Sequence, residues 1–333
     1  MKKVLVTGGN GHLGFNLVKQ LIENGFQVRA TVRNKHDPLK TKHLKTLKGV
    51  EIVTAELLDT QSLLDAMEGV DGIFHTAAPV LLWSENVKRD IVDPILLGTQ
   101  NIFKCAKDKN IRKIIFTSSC SACGMNSSRE HPLTETDWNN ESDFPLLKAK
   151  IEAEKWALEY SSKQNINMIS ILPPTIIGPH FYKVTPSLNL YHKMYQHKYF
   201  SVPNGGCHIV DVRDVAKAHI NAFLSEKAQG RYLIAGDYFN FKELFQKISY
   251  LNLNVKVPQL LLPMWSVYFL NYLDWINNKI TKKERVLSLP IIKNFLNKFQ
   301  HVSTEKANNE LNWKPRDANI TLIETFNWFH QFI

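Results

Sequence analysis

The chain has 333 residues, 44% of them hydrophobic and 22% charged, with a formal net charge of +10 and only four cysteines. That is enough apolar material for one large domain with a smaller lobe. The lysines are scattered and form no basic helix with interleaved aromatics, which argues against a nucleic-acid reader and for a solvated basic surface suited to an anionic cofactor. Cys105, Cys120, Cys123 and Cys207 are too few and too irregular for a disulfide framework, so a reducing, cytoplasmic setting is expected. Cys120-x-x-Cys123 lacks a second pair, and no metal site is expected from it. The start shows no signal-peptide core, and no run approaches the roughly eighteen apolar residues of a spanning helix.

The first element is an apolar strand that runs into Thr7-Gly8-Gly9-Asn10-Gly11-His12-Leu13-Gly14. In this Gly-x-x-Gly-x-x-Gly turn, Gly8 permits the sharp strand-to-helix bend, Gly11 lets backbone approach a pyrophosphate, and Gly14 lets helix and strand pack closely. The free N–H groups of the turn and the helix dipole favour phosphate. Leu13, Leu17, Val18, Leu21 and Ile22 recur at helical spacing, Asn24-Gly25 stops the helix, and a strand follows from Gln27 to Val32.

At the end of that second strand a carboxylate would accept the ribose hydroxyls of NAD, and a cation would accept the 2′-phosphate of NADP. Here stand Arg33, then Lys35 and Lys40, with no Asp or Glu from Thr31 to His36. NADP(H) is therefore the expected cofactor, against the plainer alternative of a solvated basic loop. Further strands run from Val50 to Ala55 and from Gly72 to Thr76. They place Glu56 and Leu57 beside the adenine and Ala77, Ala78 and Pro79 along the nicotinamide ribose side. His75 reads as a packed strand histidine. A helix carrying Gly98-Thr99 and Asn101 leads to the strand Lys113 to Thr117, which opens into Ser118-Ser119-Cys120-Ser121.

Several stretches together resemble the extended short-chain dehydrogenase/reductases, within the NAD-dependent epimerase/dehydratase superfamily. They include Thr7 to Gly14, Val28 to Arg33, Ala55-Glu56-Leu57-Leu58-Asp59, Gly69 to His75 and Gly98-Thr99-Gln100-Asn101. Later come Leu172 to Pro179, His208 to Ala216, and Ser303 to Ala307 with Leu311-Asn312-Trp313. The nearest likeness is to dihydroflavonol reductases and 3β-hydroxysteroid dehydrogenase-like enzymes. The resemblance implies an α/β fold with a doubly wound parallel (Rossmann) sheet. Residues 1–177 and 208–228 would form the NADP-binding domain, and 178–207 and 229–333 a smaller substrate lobe. It also implies a catalytic Ser matched by Ser119, a Lys matched by Lys148, and Pro173 and Ile176 at the cofactor; a homodimer is an expected assembly.

Four residues before Lys148, where the resemblance calls for tyrosine, stands Phe144, which has neither a proton to give nor an oxygen to bond. Tyr160 and Lys163 are three apart and do not restore the pair. His180 and Tyr182 are candidate replacement acids, whereas Tyr191, Tyr195 and Tyr199 recur at i, i+4, i+8 as on one packed helical face. The apolar stretch Leu260 to Ile276, followed by Lys279, Lys282, Lys283 and Arg285, is expected to lie buried over an apolar substrate, with peripheral membrane contact as the alternative. The leading functional reading is an NADP(H)-dependent oxidoreductase acting on a hydroxyl/carbonyl group of an apolar small molecule, with atypical proton donation. The alternatives are a cofactor-binding regulatory subunit without redox turnover, and a non-redox lyase or aldolase-type activity.

Overall fold

The computed structural model describes residues 1–333 except 200, 203, 252, 254, 259, 262, 282–284, 286, 287 and 333. The first half alternates strand and helix: β1 (Lys3–Thr7), α1 (His12–Glu23), β2 (Gln27–Val32), α2 (Pro38–Thr41), β3 (Val50–Thr54), α3 (Thr60–Ala66), β4 (Gly72–His75), α4 (Asp93–Asp108), β5 (Lys113–Thr117), α5 (Pro145–Gln164) and β6 (Asn167–Leu172). The second half adds β7 (Thr175–Ile177), α6 (Pro186–Tyr195), β8 (Ser201–Val202), β9 (Gly206–Asp211), α7 (Val212–Leu224), β10 (Gly230–Leu233), β11 (Tyr238–Asn240), α8 (Phe241–Tyr250), β12 (Leu260–Leu261), α9 (Met264–Thr281), α10 (Leu289–Phe295), α11 (Glu305–Leu311) and α12 (Ala318–Phe332).

Seven strands form one parallel sheet in the order β10-β6-β5-β4-β1-β2-β3. Strands covered on both faces read as unbroken apolar runs, and Val4-Leu5-Val6 and Ile114-Ile115-Phe116 are buried throughout. On one face α1 and α7 bring Leu17, Val18, Leu21, Val215 and Ile220 against the sheet, and on the other Ile102, Phe103, Ala106 and Ala157 come from α4 and α5. The strand order reverses between β1 and β4, which opens a crevice at their carboxyl ends. There Thr7 pairs with His75 in register, and Thr7 Oγ1 bonds His75 Nδ1 at 2.8 Å.

Two expectations need correction. The division at residue 229 fails, because β10 is the outer strand of the main sheet and the segment behind it returns to the same core. Trp313 is fully buried there, and its Nε1 donates to the Asp214 carbonyl at 2.8 Å. Nor is the apolar stretch around α9 buried: of that helix only Val267 is buried, while Trp265 and Phe269 are 73% and 56% exposed. Lys282 and Lys283 lie outside the described residues.

Candidate active site

The turn after β1 is built as a closed floor with one open side. A Cβ on Gly8 would meet the Ala77 backbone at 2.9 Å, and one on Gly14 would meet the Gly8 carbonyl oxygen at 2.1 Å. Gly8 also has φ +68°, a conformation natural to glycine. A Cβ on Gly11 would meet, among the described residues, only the Gly8 oxygen of its own turn, at 3.2 Å, so its outer side is clear there. Gly11 is the N-cap of α1 with no side-chain cap, and the first turn carries no acidic residue. Such an end leaves N–H groups and the positive pole of the helix facing outward, which fits a pyrophosphate. Asn10 is exposed beside this opening and Leu13 packs on the core. The His12 ring is committed elsewhere: its Nε2 bonds the Pro179 carbonyl at 3.1 Å, and burial lowers its pKa to about 4. What His12 offers a ligand is its backbone.

Arg33 follows β2 at the carboxyl edge, exposed, with no partner among the described residues. Lys40 is drawn to Asp37 at 3.5 Å, and Asp37 also caps α2 through the Leu39 N–H at 2.9 Å. The turn after β3 is held from α4: Asn101 Nδ2 donates to the Leu57 carbonyl at 2.9 Å, and a Cβ on Gly98 would strike the Leu57 side chain at 2.8 Å. Glu56 in that turn is exposed. After β4, Thr76 Oγ1 donates to the Thr7 carbonyl and the Ala77 N–H to Thr7 Oγ1, at 2.6 and 3.1 Å. These bonds carry Ala77, Ala78 and Pro79, all half-buried, past the glycine turn. The Pro173 carbonyl accepts from the Cys120 N–H at 3.0 Å, which ties the end of β6 to the serine loop, while Ile176 packs on the core from β7.

Ser119 caps the short helical turn Cys120–Ala122, its Oγ accepting from the Ser121 N–H at 3.3 Å, and remains half-buried. Burial pushes the Cys120 and Cys123 thiols up, so both stay protonated. The preceding Ser118 donates to Glu154 Oε2 at 2.7 Å. Glu154 is wholly buried on α5, also accepts from Ser170 on β6, and meets Arg231 Nε from β10 at 3.0 Å. Arg231 continues to the carbonyls of Glu135 and Asp137 at 2.7 and 2.8 Å and lies 3.7 Å over the Trp138 ring. This network, which the sequence reading missed, joins α5 to the serine loop.

One turn before Glu154 on the same face stands Lys150. Its pKa is lowered by burial, which the Glu154 carboxylate partly offsets, and its own charge joins burial in lowering that of His75 to about 4. Lys148, the lysine singled out by spacing, is exposed, as are Glu152, Lys155 and Glu159 on the outer face of α5. Two residues are about 200° of helix, so the two lysines face opposite ways. Counting four back from Lys150 reaches Leu146, not Phe144; both are buried. Phe144 is the N-cap of α5, and its ring meets that of Phe295 edge-on at 5.3 Å among Ile91, Ile95 and Leu147. Of the candidate acids, Tyr182 stacks on His43 at 3.4 Å and His180 packs against Trp328 at 4.7 Å. Tyr191, Tyr195 and Tyr199 contribute to one core cluster.

Comparison with known proteins identifies the family and the fold. The model of the NAD dependent epimerase/dehydratase family matches residues 4–235. The chain is 36% identical over 262 residues to cinnamoyl-CoA reductase 1 of Petunia hybrida, covering 74% of this chain and 76% of that one. It is 33% identical over 265 residues to dihydroflavonol 4-reductase of Callistephus chinensis, covering 74% and 72%. Among solved structures, the crystal structure of gox2253 superposes with a TM-score of 0.84 at 27% identity, covering 99% of this chain and 98% of that one. With its parallel sheet, glycine turn and serine loop, the chain belongs to the NAD dependent epimerase/dehydratase family and has the extended short-chain dehydrogenase/reductase fold, which binds a pyridine nucleotide.

Proposed function

We propose that the chain is an NADP(H)-dependent oxidoreductase acting on a hydroxyl/carbonyl group of an apolar small molecule, with proton donation that does not rest on a tyrosine. The reading is supported by Ser119 just past the end of β5 and by Lys150, whose charge acts on His75 at the end of β4, while neither Phe144 nor Leu146 supplies a phenol. A bound nicotinamide nucleotide would supply the hydride. Ser119 donates a hydrogen bond to the carbonyl oxygen. The Lys150 ammonium holds the nicotinamide ribose and stabilises the charge that develops on that oxygen. A water held by Ser119 then delivers the proton and is reprotonated from bulk solvent, so that one solvent proton is consumed for each hydride transferred. The apolar character of the substrate is supported by the Phe144, Leu147 and Phe295 side chains gathered beside α5.

The test follows nicotinamide absorbance while aldehydes and ketones are offered to the wild type and to Leu146→Tyr. Slow wild-type oxidation of NADPH, raised on the order of 10²-fold by the added phenol, is the expected result. Substrate and nucleotide binding with no oxidation by either protein would favour the second reading, a cofactor-binding member without turnover, which the missing phenol also supports.

The cofactor choice rests on Arg33, exposed at the end of β2 without a carboxylate from Thr31 to His36. Arg33→Asp should move the preference from NADPH toward NADH, because it removes the partner of a 2′-phosphate and adds an acceptor for ribose hydroxyls. Fluorescence titration with both nucleotides checks this, and equal wild-type affinities would contradict the assignment.

A further inference from the structure

Helix α9 keeps one apolar side chain, Val267, buried and turns an aromatic stripe outward. Its exposed side carries Trp265, Tyr268, Phe269, Tyr272 and Trp275, which are 43% to 73% exposed and fall on one helical stripe. Two of its polar residues point the other way, beside Val267: Asn271 Oδ1 and Asp274 Oδ2 accept from Arg285 at 2.7 and 3.2 Å. A helix folding onto its own protein buries the apolar face and wets the polar one. An exposed apolar stripe of this kind marks an interaction site.

Charge and residue type point to what covers it. Between positions 251 and 300 the sequence carries seven lysines and arginines against two acidic residues. Lys256, Lys279 and Lys293 are exposed in this segment, and Lys279 lies 5.7 Å from the centre of the Trp275 ring. Trp and Tyr, with an apolar body and a polar edge, are the residues that settle at a headgroup boundary, and nearby cations draw such a stripe to anionic lipid. No helix among the described residues is long and apolar enough to cross a membrane, so the contact lies in the interface plane. We infer that α9 docks the protein on the surface of an anionic bilayer. Helix α10, which contacts α9, reaches Phe144 through Phe295, so the docked face adjoins the apolar cluster beside α5.

The experiment is co-sedimentation of the full chain with vesicles of phosphatidylcholine alone and with 30% phosphatidylserine, at low and high salt, for the wild type and a Trp265→Glu/Phe269→Glu/Tyr272→Glu variant. These side chains are exposed, so the variant is expected to fold, which far-ultraviolet circular dichroism checks. The expected result is pelleting with the anionic vesicles only, weakened by salt and lowered about tenfold or more in the variant. A second single variant, Tyr268→Lys, adds charge while removing one ring and should bind more weakly than the wild type at high salt. Wild type that stays in solution with anionic vesicles overturns the proposal. So does a lipid-free dimer, seen by sedimentation velocity, that the triple variant dissociates, because the stripe is then covered by a second copy.

Discussion

Lys150→Met is expected to lower turnover with a carbonyl substrate by about 10²–10³-fold, while Lys148→Met leaves it within about twofold. Lys150 faces inward, one helical turn from the wholly buried Glu154, and its charge joins burial in lowering the pKa of His75. Methionine keeps most of its length and apolar contact, so the variant removes the ammonium without opening a large cavity. Because burial already disfavours the charged lysine, the melting temperature should hold or rise, which separates a lost charge from lost folding. The KM for the nucleotide should rise as well, since the ammonium is assigned to the ribose. Lys148 sits among exposed residues on the opposite face of α5, which is why its replacement is expected to leave turnover nearly unchanged. Inactivation by Lys148→Met, with Lys150→Met left active, would return the site to the register suggested by spacing.

The contrast between these two lysines shows what was legible in the sequence and what was not. Apolar runs and glycine spacing revealed the parallel sheet and the cradle, because covered strands and a backbone-lined turn leave marks that depend on few distant residues. The choice between Lys148 and Lys150 depends on helix phase. Leu146, Lys150, Glu154 and Ala157 are the inward positions of α5, and this periodicity was present in the sequence. The partners of Glu154 were not: Ser118, Ser170 and Arg231 come from three different strands or strand ends, and no local pattern announces their meeting. In α9 the apolar composition was plain, but composition is the same for a helix facing the core and one facing outward. The strand β10 was similarly hidden, four residues that join the main sheet after the chain has already visited the second lobe.

The Glu154 network yields the largest expected loss of stability. Glu154→Ala leaves the Arg231 guanidinium, itself 6% exposed, without its carboxylate, and leaves the hydroxyls of Ser118 and Ser170 without their acceptor. Breaking a buried ion pair from one side costs about 3–5 kcal/mol. Arg231 retains the carbonyls of Glu135 and Asp137 and the face of Trp138, which keep it in place but do not neutralise it. The variant should therefore lose stability in urea denaturation and lose activity beyond its unfolded fraction, because Ser118 adjoins Ser119 and Lys150 is one turn away on the same helix. Glu154→Gln keeps an acceptor for a serine but not the charge, and should fall between wild type and alanine. Removing both charges with Glu154→Leu and Arg231→Met should recover much of the stability, since apolar replacement of a whole buried pair is often neutral or favourable. If Glu154→Ala unfolds at the wild-type urea concentration, the pair is not what locks α5 to β5, β6 and β10, and the position of Lys150 must be set by apolar packing alone.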